Sequence, residues 1–498
     1  MQSWILIVLT MGGYIIAYHT YGKYIAKKIF KLNPNAPVPS KTQFDGKEYV
    51  PSDKQIMFGH HFTSIAGTGP IVGPAIGIIW GWVPAIIWVF FGSIFIGAVH
   101  DFSALIISVR HQGKSIAHIT GELISPRVKI VFFILIALAL WIVIAIFGLI
   151  IALIFARFPE SVLPIWLEIP IAIIMGHLVF QKKWGLIKTT LISVAVMYIT
   201  IGIGVWFPIT LPTIGFLPAT GIWTIILLTY AFIASILPVP ILLQPRDFLN
   251  AWQLYVSLGL IIVGIIAINL NQSLPIHAPA FNLNPIGAPP MWPFLCITIA
   301  CGAISGFHCL VCSGTSSKQL ANETDATFVG FGSMLTEGAL AVIIILAVTA
   351  GIGLGYAKNG EILTGLSAWQ THYGSWQASA GLSSKLEAVV IGCANFMKGI
   401  GIPVKLGIAI IGVFIASFAG TTLDSATRIQ RYIITELTHE LKLTKISASP
   451  IITTAIAVIT ALALAFSTGL SGKGALNLWP LFGAINQLLG ALALLVAT

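Results

Sequence analysis

The thirteen residues Ile65-Ala66-Gly67-Thr68-Gly69-Pro70-Ile71-Val72-Gly73-Pro74-Ala75-Ile76-Gly77 hold four glycines and two prolines inside an apolar stretch. On an aqueous scale their summed helix penalty is roughly 10 kcal/mol, so a broken helix is expected. Close packing through small residues is the competing account. A break frees peptide N–H and C=O groups, and the start of a half-helix attracts anions. Ala66, Gly67, Thr68, Gly69, Pro70 and Gly73 are therefore candidate ligands for a solute bearing a carboxylate. A second interruption, Ser235-Ile236-Leu237-Pro238-Val239-Pro240 followed by Gln244-Pro245, adds Ser235, Leu237 and Pro238.

Titratable and hydroxyl groups supply the next candidates. Glu337 lies within Met334-Leu335-Thr336-Glu337-Gly338, and an acid at the bilayer centre costs at least about 2.5 kcal/mol on insertion scales. It must be a proton carrier or a structural partner. His100-Asp101 either orients a proton path or forms a helix-end charge pair. Ser313, Thr315 and Ser316 suit sodium coordination, with Lys318 as an electrostatic substitute for the ion, or they simply cap a helix end. His60-His61 reads as interfacial histidines or as a pH-sensitive gate. Arg246-Asp247 and the pair Asp424 and Arg428 are further gate candidates; the four-residue step in the latter also suits a local i,i+4 ion pair. His177 and His308 stand alone. Cys309-x-x-Cys312 has no second such motif, and the five cysteines read as buried thiols, so neither a metal nor another cofactor is expected.

Positioning such groups requires many membrane helices. Hydrophobic residues make up 57% of the 498-residue chain and charged residues 8%, a composition that excludes a soluble domain. Spans are read at about 3–21, 64–81, 83–107, 130–156, 164–181, 186–207, 221–240, 252–270, 291–312, 327–356, 403–420, 449–468 and 478–497. Residues 385–398 are too short and too charged to cross, and read as an interfacial or re-entrant helix. The first span has neither a basic start nor a small-residue cleavage site, so it is not a signal peptide. With the N-terminus outside, the cytoplasmic loops gather most of the 26 lysines and arginines, which also accounts for the net charge of +10 without nucleic acid.

The two interruptions fall five spans apart and enter from opposite sides, as an inverted 5+5 repeat of the leucine-transporter type produces. The resulting expectation is an all-α, polytopic protein of about 13 helices. An extra span and basic loop occupy 1–58, the first repeat 59–215, the second repeat 216–447, and accessory spans 448–498. Irregular backbone at membrane depth survives only in protein or beside a cavity, so transport of a small solute with a proton or sodium is expected. A channel is the runner-up. A haem-copper oxidase subunit would need more membrane histidines than His100, His177 and His308.

Several segments resemble the carbon starvation protein A family: Gly59-His60-His61-Phe62-Thr63-Ser64-Ile65-Ala66-Gly67, His100-Asp101-Phe102, Leu243-Gln244-Pro245-Arg246-Asp247, Ser305-Gly306-Phe307-His308, Ser313-Gly314-Thr315, Thr421-Thr422-Leu423-Asp424, Trp479-Pro480-Leu481-Phe482-Gly483 and Asn486-Gln487. The resemblance spans nearly the whole chain. It implies bacterial inner-membrane uptake of peptides or of pyruvate with protons, and kinship with amino acid, polyamine and organocation transporters. Longer members continue past the point where Leu488 to Thr498 ends in an apolar segment, which bears on accessory functions and not on the core.

Overall fold

The structure is a computed structural model and describes residues 3–447 and 449–498. Residue 448, where the accessory C-terminal segment was expected to start, lies outside the described residues, as do residues 1 and 2. Among the described residues ten helices are long and apolar enough to cross a bilayer, and the bent pair Lys54–Ala66 with Gly69–Trp80 gives up to eleven. A broken stretch, Met291–Thr298 with Gly306–Gly314, and the short apolar helix Pro450–Ala465 occupy the other positions read as spans. The class is all-α and polytopic, as expected. Among the described residues the one named sheet is a hairpin, Tyr356–Lys358 with Glu361–Leu363, turned by Asn359 and Gly360 at positive φ.

Large apolar side chains such as Leu9, Ile16, Phe91, Ile134, Ile199 and Leu495 are exposed on the outer helix faces, the inverse of a soluble surface and suited to lipid. Val404–Glu440 packs along Pro126–Arg157 to form the spine of the bundle. Its 37 residues reach about 55 Å, well beyond a hydrocarbon layer of about 30 Å, so its last turns stand clear of lipid. There they carry Arg428, Arg431, Glu436 and Glu440.

The basic segments gather on one face of the bundle. Arg110 reaches Glu323 at 2.7 Å, Lys129 reaches Glu440 at 2.6 Å, and the Val50 N–H donates to the Lys318 carbonyl at 3.2 Å. Residues 272–290 and 355–381 cover the opposite face, where the Trp376 N–H donates to the Ile286 carbonyl at 2.8 Å.

Three boundaries differ from the expectation. The second span starts at Lys54, ten residues before the apolar run, because Asp53 caps it through the Gln55 N–H (2.8 Å) and protein rather than lipid surrounds its polar residues. The ninth is interrupted at 299–305, a break that lacks any proline and was read as continuous helix. The seventh is not split into two half-helices: Ala219–Ile236 ends, and Leu243–Asn271 begins as a separate helix. Of the two readings of residues 385–398, the interfacial one is corrected, since Leu382–Lys398 is buried in the bundle rather than lying on its surface.

Candidate functional site

The first broken span bends by 41° between Ala66 and Gly69. Gly67 turns the chain at φ +40°, and a Cβ there would lie 2.4 Å from the Thr422 hydroxyl, so only glycine fits. The break is repaired by the spine helix: Thr422 donates to the Ser64 carbonyl at 3.3 Å, and the Ser64 and Ser425 hydroxyls meet at 3.0 Å. Thr68 Oγ1 is buried without a partner. Pro70 opens the second half-helix at its first turn, where a missing N–H costs nothing.

Beyond the break lies a cavity of about 880 Å³. Gly69 and Gly73 form one wall, Thr298, Ala300 and Cys301 from the ninth-span break a second, and Phe147 and Thr422 a third. Trp376 and Trp479 stand on the side of the 272–290 and 355–381 segments. Ser235, Leu237 and Pro238 are elsewhere. Their segment sits on the basic face, where the Val239 N–H donates to the Lys47 carbonyl (3.1 Å) and Arg428 donates to the Ala234 (3.3 Å) and Leu237 carbonyls. The expectation that both interruptions would cradle one solute is therefore corrected: the partner of the first break is the one at 299–305.

Behind the cavity wall runs a fully buried acid and imidazole array. The Gly302 N–H donates to Glu337 Oε1 at 3.0 Å, and Glu337 Oε2 lies 3.3 Å from His308 Nε2. His308 Nδ1 bonds Asp101 Oδ2 at 2.8 Å, and His100 Nδ1 bonds Asp101 Oδ1 at 2.7 Å. His100-Asp101 is thus no helix-end pair, and His308 is no lone histidine. Sequence spacing hid this array because its members come from three different helices.

A second buried network starts at His60. His60 bonds Asp247 Oδ2 at 2.6 Å and Thr315 Oγ1 at 3.1 Å, while His61 turns to Ser316 Oγ at 2.8 Å. Arg246 bridges Asp247 at 3.1 Å and Asp424, and the Tyr230 hydroxyl joins them, receiving from Arg246 at 2.6 Å and donating to Asp424 at 3.0 Å. Neither histidine is interfacial; both are fully buried. Asp424 and Arg428 do not form the i,i+4 pair, because Arg246 takes the acid and Glu48 takes the base at 2.7 Å. Nor do the four cation candidates converge. Ser313 donates to the Cys309 carbonyl (2.7 Å) and accepts from the Ile116 N–H (3.1 Å), and Lys318 lies 4.1 Å over the Tyr432 ring. Sequence reasoning missed Glu48, one charge among several in a polar loop, and Tyr230, whose hydroxyl is hidden in an apolar run.

On the basic face Glu48 is clasped by Arg428 and by Arg431, the latter at 2.9 Å. Burial pushes the Glu48 carboxyl up, but Arg428, Lys318 and Arg431 outweigh it and hold it below the usual range.

The family model described as carbon starvation protein CstA matches residues 2–498. The chain belongs to the carbon starvation protein family. A peptide transporter of that name from Campylobacter jejuni is 32% identical over 99% of this chain and 75% of its own length. One from Bacillus subtilis is 33% identical over 100% and 85%. The pyruvate/proton symporter BtsT of Escherichia coli is 32% identical over 99% and 76%. These carbon starvation family relatives are bacterial transporters and not enzymes. The solved structure of MhsT in complex with L-phenylalanine covers 90% of each chain at 14% identity and a TM-score of 0.48. As a member of the family, this chain is a multi-pass membrane transporter.

Proposed function

We propose that the chain is an inner-membrane symporter that takes up pyruvate or short peptides by alternating access, driven by protons. The observation that carries this reading is the contact between cavity and array: Cys301 lines the cavity, and the next residue, Gly302, binds Glu337. Solute in the cavity therefore lies one peptide unit from a buried acid that faces His308. The positive end of the Gly69 half-helix suits a carboxylate. A volume of about 880 Å³ leaves room for a short peptide. The gathered basic segments support an outside N-terminus and a cytoplasmic C-terminus. In that orientation the cavity faces outward, and the Glu48 clasp closes the cytoplasmic side.

One observation favours a sodium-coupled variant: the Ser64 carbonyl and hydroxyl, Thr422 and Ser425 place four oxygens at the first break. Counterflow in proteoliposomes decides among these, with labelled pyruvate against labelled dipeptide across pH and with or without sodium. Uphill uptake that follows the proton gradient is expected. Passive flux at channel rates would overturn symport, and strict sodium dependence would replace the proton.

A further inference from the structure

Three ligand atoms, Cys301 Sγ, His308 Nε2 and one Glu337 carboxylate oxygen, lie within 4.8 Å of one another. His308 Nε2 and Glu337 Oε2 are buried, and neither has a hydrogen-bond partner even though they face each other at 3.3 Å. Nitrogen and oxygen ligands on a tetrahedral ion with bonds of about 2.0–2.1 Å stand about 3.3 Å apart. A sulfur at about 2.3 Å would stand roughly 3.5 Å from each, a shift of about 1 Å for the Cys301 thiol. The thiol borders the cavity and is only partly buried, and the move exchanges its weak contacts with the Ser305 hydroxyl (3.4 Å) and the Asn486 amide (3.9 Å) for the ion.

The surroundings are those of a metal site. When Nδ1 of His308 donates to Asp101 at 2.8 Å, the Nε2 lone pair is left pointing at the gap, and His100 holds Asp101 from its other oxygen. The Gly302 N–H fixes Oε1 of Glu337 and leaves Oε2 available. We infer that Cys301, His308 and Glu337 form a binding site for a late first-row divalent ion, zinc above all, that enters from the cavity. On binding, the thiol proton and any proton held between His308 Nε2 and Glu337 Oε2 pass to solvent, so thiolate, carboxylate and a 2+ ion sum to zero charge beside a neutral imidazole. The fourth position faces cavity water. A sulfur ligand selects zinc or cobalt over magnesium and calcium. The bound ion would tie the ninth-span break to Glu337 beside Gly69, whose added Cβ would stand 2.4 Å from Cys301 Sγ, and so arrest transport. That arrest rests on the proposed symport; the binding does not.

The test is titration of the purified full chain in detergent with Co²⁺, without substrate or ion gradient. One equivalent is expected to give thiolate-to-cobalt charge transfer in the near ultraviolet and intense visible bands, both abolished by Zn²⁺. Cys301→Ser should lose the charge-transfer band, Cys309→Ser and Cys312→Ser should keep it, and Glu337→Gln should keep it while weakening Co²⁺ binding at least about tenfold. Thermal melting of each variant reports folding. Absence of the band in the unmodified chain, or its persistence in Cys301→Ser, would overturn the site and leave proton symport standing. A normal site together with uptake indifferent to pH would do the reverse.

Discussion

The interruption at Gly67 and Thr68 and the one at 237–242 carry the same kind of sequence signal and end in opposite circumstances. At the first, backbone is freed within the bundle, partly repaired by Thr422, and left beside an open cavity. At the second, the freed carbonyls of Ala234 and Leu237 are filled by the Arg428 guanidinium, which Glu48 in turn neutralises. An unpaired peptide group in a low-dielectric setting costs several kcal/mol, and the protein meets that cost with a solute-sized space in one place and with a side chain in the other. Glycine and proline therefore report irregular backbone without saying which remedy the fold has chosen.

This contrast can be broken most severely at the open site. Gly67→Val places a β-branched residue at positive φ, a strain of about 1–3 kcal/mol, with its Cβ against Thr422. Uptake should fall to the level of empty vesicles while size exclusion still shows inserted protein. Retained transport would mean that the break has no part in it. Glu337→Gln should come next, cutting proton-driven uptake while substrate counterflow persists. Unchanged pH dependence would remove this residue from coupling.

At the filled site the effects should be on stability. Arg428→Ala leaves Glu48 with Arg431 alone of its two clasping arginines and uncaps two carbonyls, a loss of about 3 kcal/mol that thermal melting in detergent would read. The smallest effect is one of pH. Because the Glu48 carboxyl is held below its usual value, the clasp contributes fully above about pH 4.3, the ordinary glutamate pKa, and is lost only as pH falls through the lower folded value. Melting should therefore be insensitive to Glu48→Gln titration differences between about pH 5.5 and 8. A pH-dependent difference in that window would mean that the clasp is not held charged.

Composition and apolar runs were enough to expose the helical membrane class, since lipid leaves helices few alternatives. The break at Gly67 was equally plain, because its cause is local. The break at 299–305 was not, for the sequence Ile299-Ala300-Cys301-Gly302-Ala303-Ile304-Ser305 lacks proline, and its turn is held by tertiary partners such as Glu337. Glu337 stood out as an acid that is expensive at membrane depth, whereas His100, Asp101, His60 and Arg246 were read as helix-end, interfacial or gate groups and prove to be buried. Their partners were not legible, since Asp247 to His60 and Asp101 to His308 span 187 and 207 residues. The Asp424 and Arg428 pair failed for the same reason: helical spacing permits a local bond, and longer-range partners took both ends.

His60 and His61 are adjacent on one short rod, Lys54–Ala66, yet they turn to different partners, Asp247 and Ser316. Successive side chains on a helix diverge by about 100°, so a single twist of that rod strains both bonds together. A rigid rotation of the rod therefore cannot release one of these bonds and keep the other; parting them would require the rod itself to unwind.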